Sequence, residues 1–179
     1  TTTTLFGQPL LMVRQPDGSV QVLSNRCAHK GALLTSERCG NAGQAFSCPY
    51  HGWSYKLDGS LITMPLRSGY EGTRLRESDT GKGLHRVAAA VHRGFVFVRL
   101  GEGGPSFQDY FGSTLSFLDQ LADRSPLGEL EVAGEPLRAL IECNWKTYLE
   151  NINDGVHVPV AHAASAAAAS DVWAERPTN

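Results

Sequence analysis

Two short loops, each holding one cysteine and one histidine among turn-forming residues, constrain this 179-residue chain more than any other feature. The first loop, residues 25–31, reads NRCAHKG, and the second, residues 47–53, reads SCPYHGW. Thiolate and imidazole are common ligands of transition metals. The neighbouring glycine and proline favour tight turns. The two loops together predict one metal site with four ligands: Cys27, His29, Cys48 and His51.

The pairing of ligand types within each loop indicates which metal group they bind. In a Rieske [2Fe–2S] cluster two cysteines hold one iron and two histidines hold the other, so each loop is expected to supply one of each. A structural zinc site more usually groups cysteine with cysteine and histidine with histidine. We therefore expect a Rieske cluster that transfers one electron. Two alternatives remain: a zinc-binding module, or core cysteines beside unrelated histidines.

The first hundred residues are predicted to form short strands joined by turns. Three candidate hairpins have turn sequences between apolar runs, as expected for β-structure. Their strands are predicted at 10–14 with 20–23, at 53–56 with 61–63, and at 86–91 with 95–99. This half of the chain is therefore expected to be an all-β domain.

The composition changes at the glycine-rich stretch 101–105, which suits a domain boundary. Apolar residues between 107 and 121 then recur at three- and four-residue steps, which predicts an amphipathic helix with Ser106 as its N-cap. Strands are possible at 129–133 and 137–143, a helix is predicted at 144–154, and the alanine-rich stretch 161–169 is either a helix or a poorly defined segment. The second half is therefore expected to be mixed α and β.

A second polar cluster lies in the helix predicted at 144–154. Asn151, Asp154 and His157 follow one another at three-residue steps, which predicts a shared helical face. His162 lies five residues beyond His157, and Pro159 between them is expected to bend or interrupt the helix and so bring the two imidazoles together. Two histidines and one carboxylate with open coordination positions form the facial triad of non-haem Fe(II) oxygenases. Taken alone, the two histidines are equally consistent with ordinary surface or core positions.

Both motifs, in this order, resemble the large (α) subunits of aromatic-ring-hydroxylating Rieske non-haem iron oxygenases. Ala32 and Tyr50 stand where respiratory Rieske proteins carry an extra disulfide, so the loops resemble the ferredoxin and oxygenase type. The resemblance implies an α+β fold, with an all-β Rieske domain over residues 1–102 and the start of a mixed α/β catalytic domain over residues 103–179. Cys39 and Cys143 are then left over and are expected to serve ordinary packing.

Further site roles follow from the same resemblance. It implies that His157 and His162 bind a mononuclear Fe(II), with Asn151 near the iron. It also implies that Asp154 links His157 to the Rieske histidine of a neighbouring subunit, by position His51, within a homotrimer. The family's third iron ligand is an Asp from a much later part of the catalytic domain, and neither Asp171 nor Glu175 matches it.

The resemblance also implies partners and a reaction. Electrons from NAD(P)H are expected through a reductase and, in some systems, a ferredoxin, and β subunits accompany α in part of the family. The substrates are expected to be O2 and an aromatic molecule that is dihydroxylated or hydroxylated. The rival from another class is a Rieske ferredoxin-type electron carrier without catalysis, which does not need residues 144–162.

The charge balance and hydropathy restrict the remaining classes of partner. Sixteen basic and eighteen acidic side chains leave a formal charge of -2, which predicts neither nucleic-acid nor membrane-surface binding. No apolar run approaches the roughly 20 residues that span a bilayer, and no secretory signal is evident, so a bacterial cytoplasmic location is expected. The four opening threonines without a start methionine and the ending at residues 175–179 suggest a fragment, in which the iron site is incomplete.

Overall fold

The computed structural model describes residues 1–73, 82–132, 134, 137 and 139–174. The chain divides into two compact units, residues 1–131 and residues 132–179. The first unit contains two antiparallel sheets and short helices, and the described part of the second is helical. This α+β architecture agrees with the predicted fold class.

The larger sheet has five strands, in the spatial order β1 (Thr2–Leu5), β2 (Gln8–Arg14), β3 (Val20–Ser24), β7 (Arg86–His92) and β8 (Phe95–Arg99). Both predicted hairpins of this sheet are confirmed, because residues 10–14 pair with 20–24 and residues 88–92 pair with 95–99. β7 returns to pair with β3, so the chain between them makes an excursion away from the sheet.

The smaller sheet lies within that excursion and positions the ligand loops. Its three strands are β4 (Ala45–Ser47), β5 (Ser54–Lys56) and β6 (Leu61–Thr63), paired in that order. The predicted hairpin at 53–63 corresponds to β5 and β6, while β4 was not predicted from the sequence. The first ligand loop follows β3 and the second joins β4 to β5. Two separate strand connections therefore present the four ligands.

The core of this unit lies between the two sheets. Successive side chains of a strand point to opposite faces, and β2 accordingly places Leu11 and Val13 in the main core while Leu10 joins a smaller cluster. Leu11 meets Tyr55 of β5 and Trp53, both almost fully buried, in the main core. Cys27 and Cys48 are each only 3% exposed and belong to the same core. The ligand loops are thus anchored by the packing of the two sheets.

The predicted helix after residue 106 forms, but it is interrupted. Ser106 caps helix α1 (Phe107–Phe111) by accepting a hydrogen bond from the Asp109 N–H at 3.1 Å, as predicted. Gly112, at a positive φ, ends α1, and a 3-10 turn precedes helix α2 (Leu115–Asp123). The glycine breaks the helical periodicity because it readily leaves helical geometry.

These helices pack on the β7–β8 hairpin. The Phe97 ring lies 5.0 Å from the ring of Phe107, and Nε2 of His92 lies 2.9 Å from Asp119 Oδ1. Residues 103–131 therefore form part of the first compact unit. The compact units meet between residues 131 and 132 rather than at residue 103. The division into a Rieske domain at 1–102 and a catalytic domain from 103 is a division by function, and it stays a prediction.

The second unit contains three helices in its described residues. They are α3 (Trp145–Asn153), α4 (Val158–Ala161) and α5 (Ala163–Ala174). The alanine-rich stretch is therefore helical, in line with the low cost of placing alanine in a helix. The sequence allows strands at 129–133 and 137–143, but the described residues of these two ranges form no strand. Among all described residues, no helix is long and apolar enough to cross a membrane.

Candidate metal centres

The two ligand loops have the same backbone conformation although their Cys–His spacings differ. The carbonyl of Cys27 accepts a hydrogen bond from the Gly31 N–H at 2.9 Å, and the carbonyl of Cys48 accepts one from the Gly52 N–H at 3.0 Å. In both loops the cysteine N–H also donates to the carbonyl of the residue after the glycine, at 2.8 Å. The two glycines have φ values of +71° and +69°, which disfavour residues with a Cβ. Equivalent turns therefore place one cysteine and one histidine on each side of the site.

The four predicted ligands are brought together in two pairs. Cys27 and Cys48 are both buried in the main core, and Cys27 contributes to lowering the pKa of the Cys48 thiol. The imidazoles of His29 and His51 have ring centroids 4.7 Å apart. In the described part of the chain, no group of three or more His, Cys, Asp or Glu side chains is arranged to hold a single metal ion. A thiol pair beside an imidazole pair suits two irons better than one zinc.

Two buried polar atoms in this region support a fit to a bound cluster. Nδ1 of His29 and Nε1 of Trp53 are buried and have no hydrogen-bond partner among the described residues. A buried polar group left unpaired costs about 1–3 kcal/mol, so such atoms usually mark a bound group or a ligand role. The unpaired ring nitrogen of His29 is the electron-pair donor that an iron ligand requires. The residues present therefore fit a Rieske [2Fe–2S] cluster.

The backbone around Cys48 favours the thiolate form that binds iron. Burial acts to raise the pKa of the Cys48 thiol, but hydrogen bonds from the backbone N–H groups of Tyr50 and His51 outweigh it, and the pKa lies below its ordinary value. The thiolate is the form that ligates metals. The turn that carries His51 thus also stabilises the thiolate form of Cys48.

Tyr55 is a functional candidate that the sequence did not reveal. It is fully buried, its hydroxyl lies 3.0 Å from Cys27 Sγ, and the same oxygen accepts a hydrogen bond from the Ala28 N–H at 3.2 Å. Burial, followed by the neighbouring Cys27, raises the pKa of Tyr55, so the hydroxyl keeps its proton. Because a thiolate has no proton to give, the hydroxyl is the donor when Cys27 binds iron.

Asn25 holds the start of the first ligand loop and was also missed. It is 3% exposed, and its Oδ1 accepts hydrogen bonds from the N–H groups of Leu34 and Thr35 at 3.2 and 3.3 Å. Its Nδ2 donates to the Thr35 carbonyl at 2.8 Å. Buried polar groups are normally hydrogen-bonded, and these three bonds hold the backbone of residues 34–35, which follow the loop, against the residue at its start. The position of Asn25, two residues before Cys27, was the only sequence signal.

The helix of the second motif ends earlier than predicted. α3 stops at Asn153, and Asp154 has extended backbone angles, φ −83° and ψ 109°. The prediction that Asn151, Asp154 and His157 share one helical face is therefore wrong. Asp154 nevertheless reaches His157 across the turn, with 3.2 Å between Oδ2 and Nδ1. A hydrogen bond from the Val156 N–H at 2.7 Å, followed by His157, lowers the pKa of this carboxyl.

The two histidines of the second motif lie close together in the structure. Their ring centroids are 5.4 Å apart, with the rings nearly perpendicular. Pro159 stands in the first turn of α4, where its missing N–H costs nothing, so it starts a new helix between the histidines. Since Asp154 faces Nδ1 of His157, Nε2 is left to bind a metal, the arrangement in which a carboxylate orients a histidine ligand. These residues fit two ligands of a mononuclear iron site.

The remaining predicted positions are less informative. Asn151 lies on α3 and is exposed. Glu175 lies outside the described residues, and only the backbone of Asp171 is described. Cys39 and Cys143 are both exposed, so the prediction that they serve ordinary packing is wrong. Trp53, which directly follows the second ligand loop's glycine, is 1% exposed and lies in the core.

Comparison with known proteins agrees with this geometry. Residues 1–77 match the family described as Rieske [2Fe-2S] domain. The anthranilate 1,2-dioxygenase large subunit of Acinetobacter baylyi is 38% identical over 157 residues, covering 87% of this chain and 32% of that protein. A solved structure of a naphthalene 1,2-dioxygenase mutant bound to phenanthrene superposes with a TM-score of 0.70 at 32% identity, covering 92% of this chain and 36% of that one.

A second solved structure widens the range of substrates among similar proteins. The quaternary ammonium Rieske monooxygenase CntA in complex with L-carnitine superposes with a TM-score of 0.77 at 25% identity, covering 92% of this chain and 45% of that one. The chain spans about a third of the length of the curated relatives it matches.

The fold and the paired ligand loops define residues 1–77 as a Rieske iron–sulfur domain, which sets aside both the zinc module and the unrelated core cysteines. The similarity continues well beyond this domain. The chain as a whole is related to the large (α) subunits of Rieske ring-hydroxylating dioxygenases.

Proposed function

We propose that this chain is the electron-receiving and iron-binding part of an aromatic-ring-hydroxylating oxygenase α subunit. The single observation that carries the proposal is the coexistence of two candidate metal sites, the paired Cys–His loops and the Asp154–His157–His162 group. When bound, the Rieske cluster carries one electron, and mononuclear Fe(II) activates O2 at its open coordination positions.

In the first site, Cys27 and Cys48 bind one iron and His29 and His51 bind the other. The buried thiols lie in the core, while both imidazoles are only partly buried. The histidine side therefore faces outward. An electron entering or leaving through the protein surface has its shortest route past an imidazole, and His51 is the proposed exit.

In the second site, His157 and His162 bind Fe(II) and Asp154 orients His157 through Nδ1. The lowered pKa of Asp154 keeps it ionised and able to accept a hydrogen bond from an imidazole N–H. Asn151 is proposed to lie near the iron. The third iron ligand is expected to be a carboxylate from a part of the whole protein outside residues 1–179.

Electron transfer between the two sites is proposed to cross between subunits of a homotrimer. Asp154 would accept a hydrogen bond from His51 of a neighbouring subunit as well as contact its own His157. The relatives that are named large subunit or large oxygenase component are, by those names, parts of larger systems. We propose that the partners of this protein include a reductase, with or without a ferredoxin, that delivers electrons from NAD(P)H. β subunits are proposed as further partners.

The proposed substrates are O2 and a small aromatic molecule, with dihydroxylation as the leading outcome. The names of relatives that act on anthranilate and naphthalene support the aromatic class. The similarity to a quaternary ammonium monooxygenase is the reason to test substrates of both kinds. A cytoplasmic location is proposed from the sequence alone.

The ferredoxin-type carrier is disfavoured by the extent of the similarity. A carrier requires only the Rieske domain, residues 1–77, whereas the naphthalene dioxygenase superposition covers 92% of the chain. That coverage extends far beyond the Rieske domain, into a region that a ferredoxin does not need.

Iron content of the full-length protein tests the proposal. We expect three irons per chain, two with the inorganic sulfide of the cluster and one without. The variant His157→Ala is expected to retain two. Two irons in both proteins would support the carrier instead.

The bridge is tested separately in the same full-length protein. Asp154→Ala is expected to slow single-turnover oxidation of the reduced cluster by at least about tenfold while three irons remain bound, a rise of roughly 1.4 kcal/mol in the activation barrier. Glu150→Ala on α3 is the matched control, because Glu150 is exposed and has no role in either proposed site. An unchanged oxidation rate in Asp154→Ala would contradict the bridge and leave the iron site standing.

A further inference from the structure

The rings of Trp53 and Tyr70 lie beside the imidazole of the first-loop histidine, His29. The Trp53 indole and the His29 imidazole are parallel to within 1°, with centroids 4.9 Å apart. The Tyr70 ring stands nearly perpendicular to both, 6.3 Å from His29 and 6.1 Å from Trp53. Tyr70 is thus about equally distant from the two stacked rings and lies beside them.

His29 needs such support because its own torsions do not orient the ring. The last torsion of a histidine side chain has a broad minimum, so the imidazole plane is set by what packs against it. A metal ligand must nevertheless present one particular nitrogen, and neighbouring groups usually hold it in place. The Nδ1 atom of His29 is buried and makes no hydrogen bond to another described residue, so no hydrogen bond at this nitrogen holds the ring plane.

The position of Tyr70 depends on a strained turn after the second ligand loop. Met64 is buried in the main core, and a Cβ on Gly52 would meet Pro65 Cγ at 3.1 Å, so this segment runs against the second loop. Leu66 then adopts a left-handed conformation, φ +52°, although it is 85% exposed. The 3-10 helix Arg67–Tyr70 follows and carries Tyr70 to the stack.

The contacts of the other histidine are different. The His51 ring lies 3.7 Å from the ring of Tyr50, which is itself 64% exposed. Within the described residues, Tyr70 has ring contacts with His29 and Trp53, and Tyr50 has one with His51. The two histidines therefore have separate aromatic neighbours.

We propose that Trp53 and Tyr70 are positioning residues that clamp the His29 imidazole in the plane in which its buried Nδ1 faces the cluster. The clamp rests on the assignment of His29 as a cluster ligand. It extends that assignment to a residue, Tyr70, that lies 41 positions away in the sequence and belongs to neither ligand loop.

Pulsed electron paramagnetic resonance of the reduced, cluster-loaded protein tests this proposal, because it resolves the nitrogen couplings of the two histidine ligands. Tyr70→Leu keeps apolar volume but removes the ring, and we expect it to shift or broaden one of the two nitrogen couplings. Tyr70→Phe keeps the ring and is expected to restore the parent spectrum. Tyr50→Leu, the matched variant at the other histidine, is expected to alter the other coupling.

The proposal is overturned if Tyr70→Leu leaves both couplings at their parent values, or alters the same coupling as Tyr50→Leu. A Tyr70→Phe spectrum as altered as that of Tyr70→Leu would also overturn it, since the ring would then not be the operative part. If Tyr70→Leu fails to bind the two cluster irons, its spectrum cannot test the clamp. The test then uses Trp53→Phe, which is expected to shift the nitrogen coupling assigned to His29. A parent protein without a cluster would instead contradict the assignment of the site.

Discussion

The hydroxyl of Tyr55 lies 3.0 Å from Sγ of Cys27, 28 positions away in the sequence. Its oxygen already accepts the Ala28 N–H, so its own proton is directed to the sulfur when the thiolate is formed. A donor at a ligand sulfur stabilises the reduced cluster, which carries one more negative charge, more than the oxidised one.

Replacing Tyr55 by Phe is therefore expected to lower the reduction potential of the cluster. A hydrogen bond worth about 1 kcal/mol more in the reduced state corresponds to roughly 40 mV for a one-electron couple. A redox titration followed by visible circular dichroism measures the change. Tyr110→Phe is the control, because Tyr110 is exposed on α1. An unchanged or higher potential in Tyr55→Phe would show that the hydroxyl does not donate to the sulfur.

The two loop glycines are expected to differ in their tolerance of a side chain. Gly31→Ala meets nothing within 4 Å and adds only the cost of a left-handed alanine, about 1 kcal/mol. Gly52→Ala adds a contact with Pro65 Cγ at 3.1 Å, so its loss should be larger, about 2–3 kcal/mol. Urea unfolding of the two variants measures both losses. Equal losses would mean that Pro65 moves aside at no cost.

Asn25→Ala is expected to cost about 2–3 kcal/mol of folding free energy, because it leaves the buried N–H groups of Leu34 and Thr35 without their acceptor. Asn41→Ala is the matched control, since Asn41 is exposed and, among the described residues, its side chain accepts a hydrogen bond from the Gly43 N–H. Thermal unfolding of the two variants should therefore separate them by several degrees. Similar melting temperatures would argue against the role assigned to Asn25.

The four cysteines are expected to fall into two groups when each is replaced by alanine. Cys48→Ala should abolish the cluster, because it removes a thiolate ligand, and both iron and inorganic sulfide should fall to background. Cys39→Ala should retain both, because Cys39 is exposed and belongs to neither ligand loop. Iron and sulfide assays measure the outcome. A cluster retained in Cys48→Ala would invalidate the proposed ligand set.

The sequence was sufficient where the determining interactions are local. Turn residues between apolar runs located the β2–β3, β5–β6 and β7–β8 hairpins but not the β1–β2 hairpin. The three located hairpins were predictable because turn geometry and strand alternation depend on neighbours in the chain. The Cys–His spacing within each loop identified the candidate ligands for the same reason. The N-cap at Ser106 is a local hydrogen bond and was predictable as well.

Only the tertiary structure placed Tyr55 beside Cys27, Asn25 beneath the first loop, and Tyr70 against His29. The contacts of Tyr55 and Tyr70 join residues that lie far apart in the chain, and the Tyr55 contact exists because the two sheets share one core. The periodicity of the sequence likewise did not predict that α3 ends at Asn153. Local patterns in the sequence thus predicted the candidate metal ligands. The packing of distant segments decided which residues orient those ligands, because such contacts have no periodic signature in the sequence.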